Sequence, residues 1–292
     1  MLNIFATTWN MGGSMCPSDA TLRKWLSGYD ACSLVAIGVQ ECEHAASIVP
    51  RFSVSRFQNS IYQFMGSTHR HIASSECGAT GIHCLVRKDL SRIISNVGTA
   101  NVPLGFLGAC NKGAVAVLFS VISRNNKNTR PLHFRFISAH FTSDEGRVMA
   151  RDSDFHRVQN SLGADSRINE FWLGDFNYRV QASRGCVSRR LLEKEYLAAL
   201  LPCDELLQER DSGAAFEGFE ECPIHFKPTY KWTMRQSYAE RRVPSWTDRI
   251  LFRIPDFQSH NNFCCDYSYY DARPSFGLSD HQPVVLKLSL SN

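Results

Sequence analysis

Phe171-Trp172-Leu173-Gly174-Asp175-Phe176-Asn177-Tyr178-Arg179 changes character in the middle. An apolar run with the look of a buried strand stops at Gly174, and a carboxylate, a carboxamide, a phenol and a guanidinium follow within five residues. Asp and Asn are ordinary turn residues, so a simple turn explains the stretch as well as a site does. Other polar residues also fall where apolar strands end. Leu2 to Ala6 alternates into Asn10, the continuously apolar Leu34 to Val39 delivers Gln40-Glu41, and Leu132 to Ile137 runs into His140. Asp248 opens the strand Ile250-Leu251-Phe252, and Asp280-His281 precede the alternating strand Val284 to Leu290.

Asn10, Glu41, His140, Asp175, Asn177, Asp248, Asp280 and His281 form an oxygen-rich set with no plausible cysteine ligand. A hard ion, Mg²⁺, suits it better than Zn²⁺, with Glu41, Asn10 and Asp280 as candidate ligands. Metal-assisted phosphate hydrolysis needs a Lewis acid on a phosphoryl oxygen, a carboxylate to align or deprotonate water, and cationic donors for the developing charge. Glu41, Asp175 and His281 suit those roles in that order, with Asp248 orienting the His281 ring. Taken singly, each histidine is more often structural than catalytic; the grouping at strand ends tilts the balance.

The elements needed to hold such a set are mostly strands. Strand character is read at Ile61 to Met65, Gly81 to Arg87, Arg92 to Val97 and Ala114 to Ile122, and helices at Asp19 to Tyr29, 147 to 162, and Leu191 to Leu201 before Pro202. Many strands with interspersed helices predict a four-layer α/β sandwich, two packed and mainly antiparallel sheets flanked by helices, as one domain over 1–292. The chain has 292 residues, 43% of them hydrophobic, enough to bury a large core without an internal linker. A net charge of +4 does not by itself argue for nucleic acid. Eleven cysteines, an odd number without paired CxxC spacing, are read as mostly free thiols in a reducing, cytoplasmic compartment. No apolar run is long enough to span a bilayer, so any membrane contact must be peripheral, and Phe106-Leu107 or Phe276-Gly277-Leu278 are loops that could dip into one.

Together the motifs resemble the catalytic domain of the inositol polyphosphate 5-phosphatases, within the endonuclease, exonuclease and phosphatase superfamily. Gly38-Val39-Gln40-Glu41, Asn111-Lys112-Gly113, Trp172 to Arg179, Pro228-Thr229-Tyr230-Lys231, Pro244 to Leu251 and Ser279-Asp280-His281 carry the likeness, which spans nearly the whole chain. GD-x-N and SDH occur across the superfamily, including its nucleases and sphingomyelinases; the WLGDFNYR, PTYK and PSW-x-DRIL set is far more selective. The resemblance implies Mg²⁺ at Glu41 with Asn10 nearby, water activation by Asp175 with Asn177, and phosphate stabilisation by His281 backed by Asp248. It also implies substrate contacts from Lys112, Arg179, Tyr230, Lys231, Arg241 and Arg242, whose cations suit several phosphates on one ring.

Two departures stand out. His140-Phe141-Thr142-Ser143-Asp144 replaces the usual HLAAH, and Glu240 takes the lysine position of a Lys-x-Arg-x-Pro pattern ending at Pro244. The expected substrates are inositol phosphates or phosphoinositides, with no nucleic acid. The alternatives are a nuclease or sphingomyelinase of the same fold, or a catalytically silent phosphoinositide-binding module.

Overall fold

A computed structural model describes residues 1–14, 16–42, 53–105, 110–122, 130–182, 195–233, 235, 237–239, 242–255 and 264–291. Arg241, Phe106-Leu107 and the first leucines of the 191–201 segment therefore lie outside the described residues.

Among the described residues, eleven strands form two sheets. The first contains β1 (Leu2–Asn10), β2 (Leu34–Gln40), β3 (His69–Cys77), β4 (Thr80–Arg87), β10 (Cys264–Ala272) and β11 (Val284–Ser291), in the order β10-β11-β1-β2-β4-β3. The second runs β5-β6-β7-β8-β9, with β5 at Ile94–Pro103, β6 at Gly113–Val121, β7 at Leu132–His140, β8 at Ile168–Asp175 and β9 at Asp248–Arg253. One pair in each sheet is parallel, β1 with β2 and β7 with β8, and the remaining neighbours are antiparallel.

Side-chain alternation creates the layers. Ile4 and Ala6 of β1 point into the core shared with Phe134, Phe136, Phe171 and Leu173 of the second sheet. Phe5 and Trp9 point the other way, onto Leu22 and Trp25 of α1 (Asp19–Trp25) and Phe57, Ile61 and Met65 of α2 (Ser53–Met65). On the outer face of the second sheet, Ile137 and Trp172 meet Phe155 and Val158 of α3 (Val148–Leu162) and Leu206, which lies beyond the short α4 (Glu195–Leu200) in α5 (Glu205–Ser212). The result is helices, sheet, sheet, helices.

Two features differ from the sequence expectation. Ile61 to Met65, expected as a strand, is the last part of α2: Phe57, Ile61 and Met65 are spaced four apart and buried together, a helical period that a five-residue window hides. β3 and β10 were not anticipated. Both are edge strands, and His69-Arg70-His71 and Cys264-Cys265-Asp266 lack the apolar alternation of a half-buried strand.

Register brings the polar strand ends together. Asn10 pairs with Gln40 across β1 and β2, His140 with Asp175 across β7 and β8, and Asp175 with Asp248 across β8 and β9. Gly174 permits this closeness, since a Cβ there would lie 2.0 Å from the Ala139 carbonyl oxygen. Arg249, next to Asp248, serves the fold: its buried guanidinium donates to Asp204 at 2.8 Å and to Glu221 at 2.7 Å.

Candidate active site

Asp175 is the centre of the assembled edge. It is buried at the end of β8, with Oδ2 accepting from Asn10 Nδ2 at 2.8 Å and Oδ1 from the Asn177 backbone N–H at 3.1 Å. Asn177 adopts φ 58°, a left-handed conformation that asparagine tolerates, and its amide donates to the Phe141 carbonyl at 3.1 Å. The Asn177 side-chain oxygen Oδ1 in turn accepts from the Arg179 guanidinium. Three residues of one turn are thus locked to each other and to β1 and β7.

Two histidines flank that carboxylate. His140 Nε2 lies 3.5 Å and His281 Nε2 3.8 Å from Asp175 Oδ2. The far nitrogen of His281, Nδ1, lies 2.8 Å from Asp248 Oδ2, which also accepts from Thr229 Oγ1 at 2.6 Å and Thr247 Oγ1 at 2.9 Å. Ser279 Oγ donates to the Asn10 carbonyl at 2.7 Å and accepts from the His281 backbone N–H at 3.0 Å, and the Trp9 indole donates to the His281 carbonyl at 3.1 Å. Burial opposes charge on His281, but the Asp248 and Asp175 carboxylates outweigh it and raise its pKa to about 9. Burial, reinforced by Lys112, pushes His140 down to about 3. Lys112 touches His140 Nε2, and burial lowers its own pKa although Asp175 and Glu41 oppose the shift.

Glu41 leaves β2 with φ 47°, an uncommon conformation for a residue other than glycine, and its side chain remains 35% exposed at the mouth of the site. Its Oε1 lies 3.7 Å from His140 Nε2. Asn10 Oδ1 accepts from the Gly12 N–H at 2.9 Å. Asp280 is committed differently, pairing with Lys231 Nζ at 2.8 Å; burial would raise its carboxyl pKa, but His281 and Lys231 hold it below the usual range. The donor atoms of Asp175, Asp248 and His281 lie within 4.8 Å of one another. That trio suits proton and hydrogen-bond work better than metal ligation, because an imidazolium has no lone pair to give. Glu41 and Asn10 supply the oxygen donors a hard cation takes.

Beside the carboxylates lies a stack of cation, phenol and imidazole. The Arg179 guanidinium sits 4.6 Å from the Tyr230 ring centroid, and the Tyr230 and His281 rings are 4.5 Å apart. Arg242 is half-exposed and pairs with Glu145 at 3.5 Å. Asp144, where a second histidine was expected, is a left-handed turn residue (φ 78°) whose carbonyl accepts from Arg151 at 2.9 Å.

Thr229, Thr247 and Ser279 were missed as supports of Asp248 and His281, although each sits inside a motif already singled out. Glu205, which accepts from the Arg179 backbone N–H at 2.8 Å and is held by Arg151, carried no comparable signal.

The fold and this edge define a two-sheet α/β sandwich with carboxylates and histidines gathered at one rim, and comparison with known proteins agrees on that fold. Residues 7–287 match the family described as Endonuclease/Exonuclease/phosphatase family 2, and the chain belongs to that family. It is 29% identical to the mouse phosphatidylinositol polyphosphate 5-phosphatase type IV, over 96% of this chain and 44% of that protein. It is also 29% identical to the type IV inositol polyphosphate 5-phosphatase 11 of Arabidopsis thaliana, over 97% and 81%. The chain thus spans less than half the length of the mouse relative. Among solved structures, the inositol polyphosphate 5-phosphatase domain of SPSynaptojanin, in complex with inositol (1,4)-bisphosphate and calcium ion, superposes with a TM-score of 0.83 at 24% identity, covering 98% of this chain and 83% of that one. A Cimex nitrophorin in a ferrous NO complex has a TM-score of 0.79 at 19% identity, over 100% and 99%, so fold likeness alone does not decide chemistry.

Proposed function

We propose that this chain is a Mg²⁺-dependent phosphomonoesterase that removes the 5-phosphate from inositol polyphosphates, phosphoinositides, or both. The observation that carries the proposal is the Asp175 carboxylate, pinned by Asn10 and Asn177 and flanked by His281, whose second nitrogen is bonded to Asp248. Glu41 and Asn10 would hold the cation, which when bound supplies Lewis-acid charge at a phosphoryl oxygen. Asp175 aligns the attacking water and accepts its proton. His281, kept cationic by Asp248, donates Nε2–H to the phosphate as negative charge develops. Arg179, Tyr230, Lys112 and Lys231 gather the ring's phosphates, with Arg242 at the rim; Arg241 joins them as a further cation on the strength of the sequence motif alone.

A nuclease or sphingomyelinase of this fold would share the carboxylates and histidines, and the Arg179–Tyr230 stack with Lys231 favours a small polyphosphate instead. A silent binding module would not need a buried, hydrogen-bonded Asp175. Lipid substrates would require peripheral membrane contact. The apolar side chains of the Phe276-Gly277-Leu278 loop are partly used by the fold, with Phe276 edge-on to Trp9 at 6.1 Å, so only their remaining surface is offered to a bilayer. A cytoplasmic location facing that bilayer belongs to the same proposal. Phosphate release from 4,5- and 3,4,5-phosphorylated inositides, soluble and lipid-borne, is expected with Mg²⁺ and lost on chelation. Cleavage of an abasic DNA substrate alone would overturn the proposal.

A further inference from the structure

Two cysteines outside the reaction meet behind the Lys112 turn. Cys77 ends β3 and is buried; Cys110 lies in the turn entering β6 and is exposed. Their thiols are close enough for each to affect the other's ionisation. Glycines make this approach possible. Gly78, at φ +58°, faces the turn so closely that a Cβ would lie 2.0 Å from the Cys110 carbonyl oxygen and 3.0 Å from Cys110 Cβ, while a Cβ on Gly113 would lie 3.0 Å from Cys77 Sγ. The backbones carrying the two thiols thus meet side by side, the arrangement in which a disulfide of about 2.05 Å can close with a local shift of the turn.

The position ties this pair to the site. Lys112 is two residues beyond Cys110 and touches His140 Nε2. On the other side, the β3–β4 hairpin receives a backbone hydrogen bond from Cys42, next to Glu41, at the Ala79 carbonyl (3.2 Å). The hairpin is therefore linked to both the Lys112 turn and the Glu41 turn. We propose that Cys77 and Cys110 are a reversible redox pair whose disulfide draws the Lys112 turn against the β3–β4 hairpin and lowers activity. The loss of turnover rests on the phosphomonoesterase proposal above; the disulfide itself does not.

The oxidant is a peroxide. The exposed Cys110 thiolate attacks one peroxide oxygen, the O–O bond breaks, and the departing hydroxide leaves as water after taking a proton, giving a Cys110 sulfenic acid. The Cys77 sulfur then attacks Cys110 sulfur, the S–O bond breaks, and the hydroxyl leaves as water with the Cys77 proton. Two thiols and one hydrogen peroxide become a disulfide and two waters, the sulfurs giving up two electrons. Burial and the neighbouring Cys110 hold the Cys77 thiol up at about 12, so Cys77 waits protonated and shielded. A dithiol reverses the reaction.

The test treats the intact chain with hydrogen peroxide and then dithiothreitol, mapping alkylated peptides by mass and following phosphate release and inositol bisphosphate affinity. A linked Cys77–Cys110 peptide is expected, with turnover falling about tenfold or more, as sub-ångström to ångström displacement of a positioning cation implies, and returning on reduction. Cys110→Ser, at an exposed position, should keep the reduced rate and lose the peroxide response. Cys110 carried to sulfinic acid without a linked peptide would overturn the proposal, as would a linked chain with unchanged turnover and affinity. If the reduced chain has no phosphatase activity, the function proposal fails, whereas the linked peptide and the fall in affinity still decide this one.

Discussion

His140 and His281 stand 3.5 and 3.8 Å from the same Asp175 oxygen and are both buried, yet they are driven to opposite charge states. His140 comes from the end of β7, where burial, reinforced by the Lys112 that strand register places against it, drives its pKa to about 3. His281 comes from the turn before β11, where β9 delivers Asp248 and the pKa rises to about 9. Burial disfavours the charged ring in both places; at His140 it prevails with Lys112 behind it, and at His281 the Asp248 and Asp175 carboxylates outweigh it. One carboxylate edge thereby holds a neutral imidazole on its Lys112 side and a cationic donor on its Asp248 side.

The harshest way to break this pair is to remove what the two histidines share. Asp175→Ala should lower kcat by about 10³ to 10⁴, the scale of a lost general base, while circular dichroism and inositide binding stay largely intact. Near-normal turnover in that variant would refute the assigned role. A more selective change acts on one side only. Asp248→Asn keeps the shape but removes the charge behind His281, so kcat should fall by about 10²-fold and the basic limb of kcat/KM should move from near pH 9 towards 6.5. A limb that does not move assigns the titration to another group.

The smallest expected effect is on stability. His281 has a raised folded pKa, so its stabilising contribution is complete below about 6.5 and lost as pH rises through about 9. His140 has a depressed folded pKa and stays neutral in the fold, so its contribution is present above about 6.5 and lost as pH falls towards 3. Thermal midpoints across pH should therefore lose part of their alkaline slope in His281→Gln and part of their acid slope in His140→Gln. The reverse assignment of slopes would contradict the comparison.

Much of this edge was legible in the sequence because the strands leading to it are apolar and end abruptly in polar residues: Asn10, Glu41, His140 and Asp175 were readable as strand-end positions, and the sandwich followed from the strand count. The Asp248–His281 partnership was legible only as a possibility, since its 33-residue separation is closed by β9 and β11 lying in different sheets. The different charge states of the two histidines were not legible, because they depend on burial and on Lys112 and Asp248 arriving through tertiary register. The supporting hydroxyls of Thr229, Thr247 and Ser279 escaped notice for a related reason, as a threonine in a motif looks like spacing until its acceptor is seen. β3 and β10 hid because edge strands need no continuous apolar pattern.

The most direct test of this asymmetry is an NMR titration of the two imidazoles in the metal-free chain. Histidine ring resonances should show His281 protonated until pH approaches about 9 and His140 neutral down through pH 5. A His281 that titrates below 6.5, or a His140 that takes a proton near 6.5, would contradict the account.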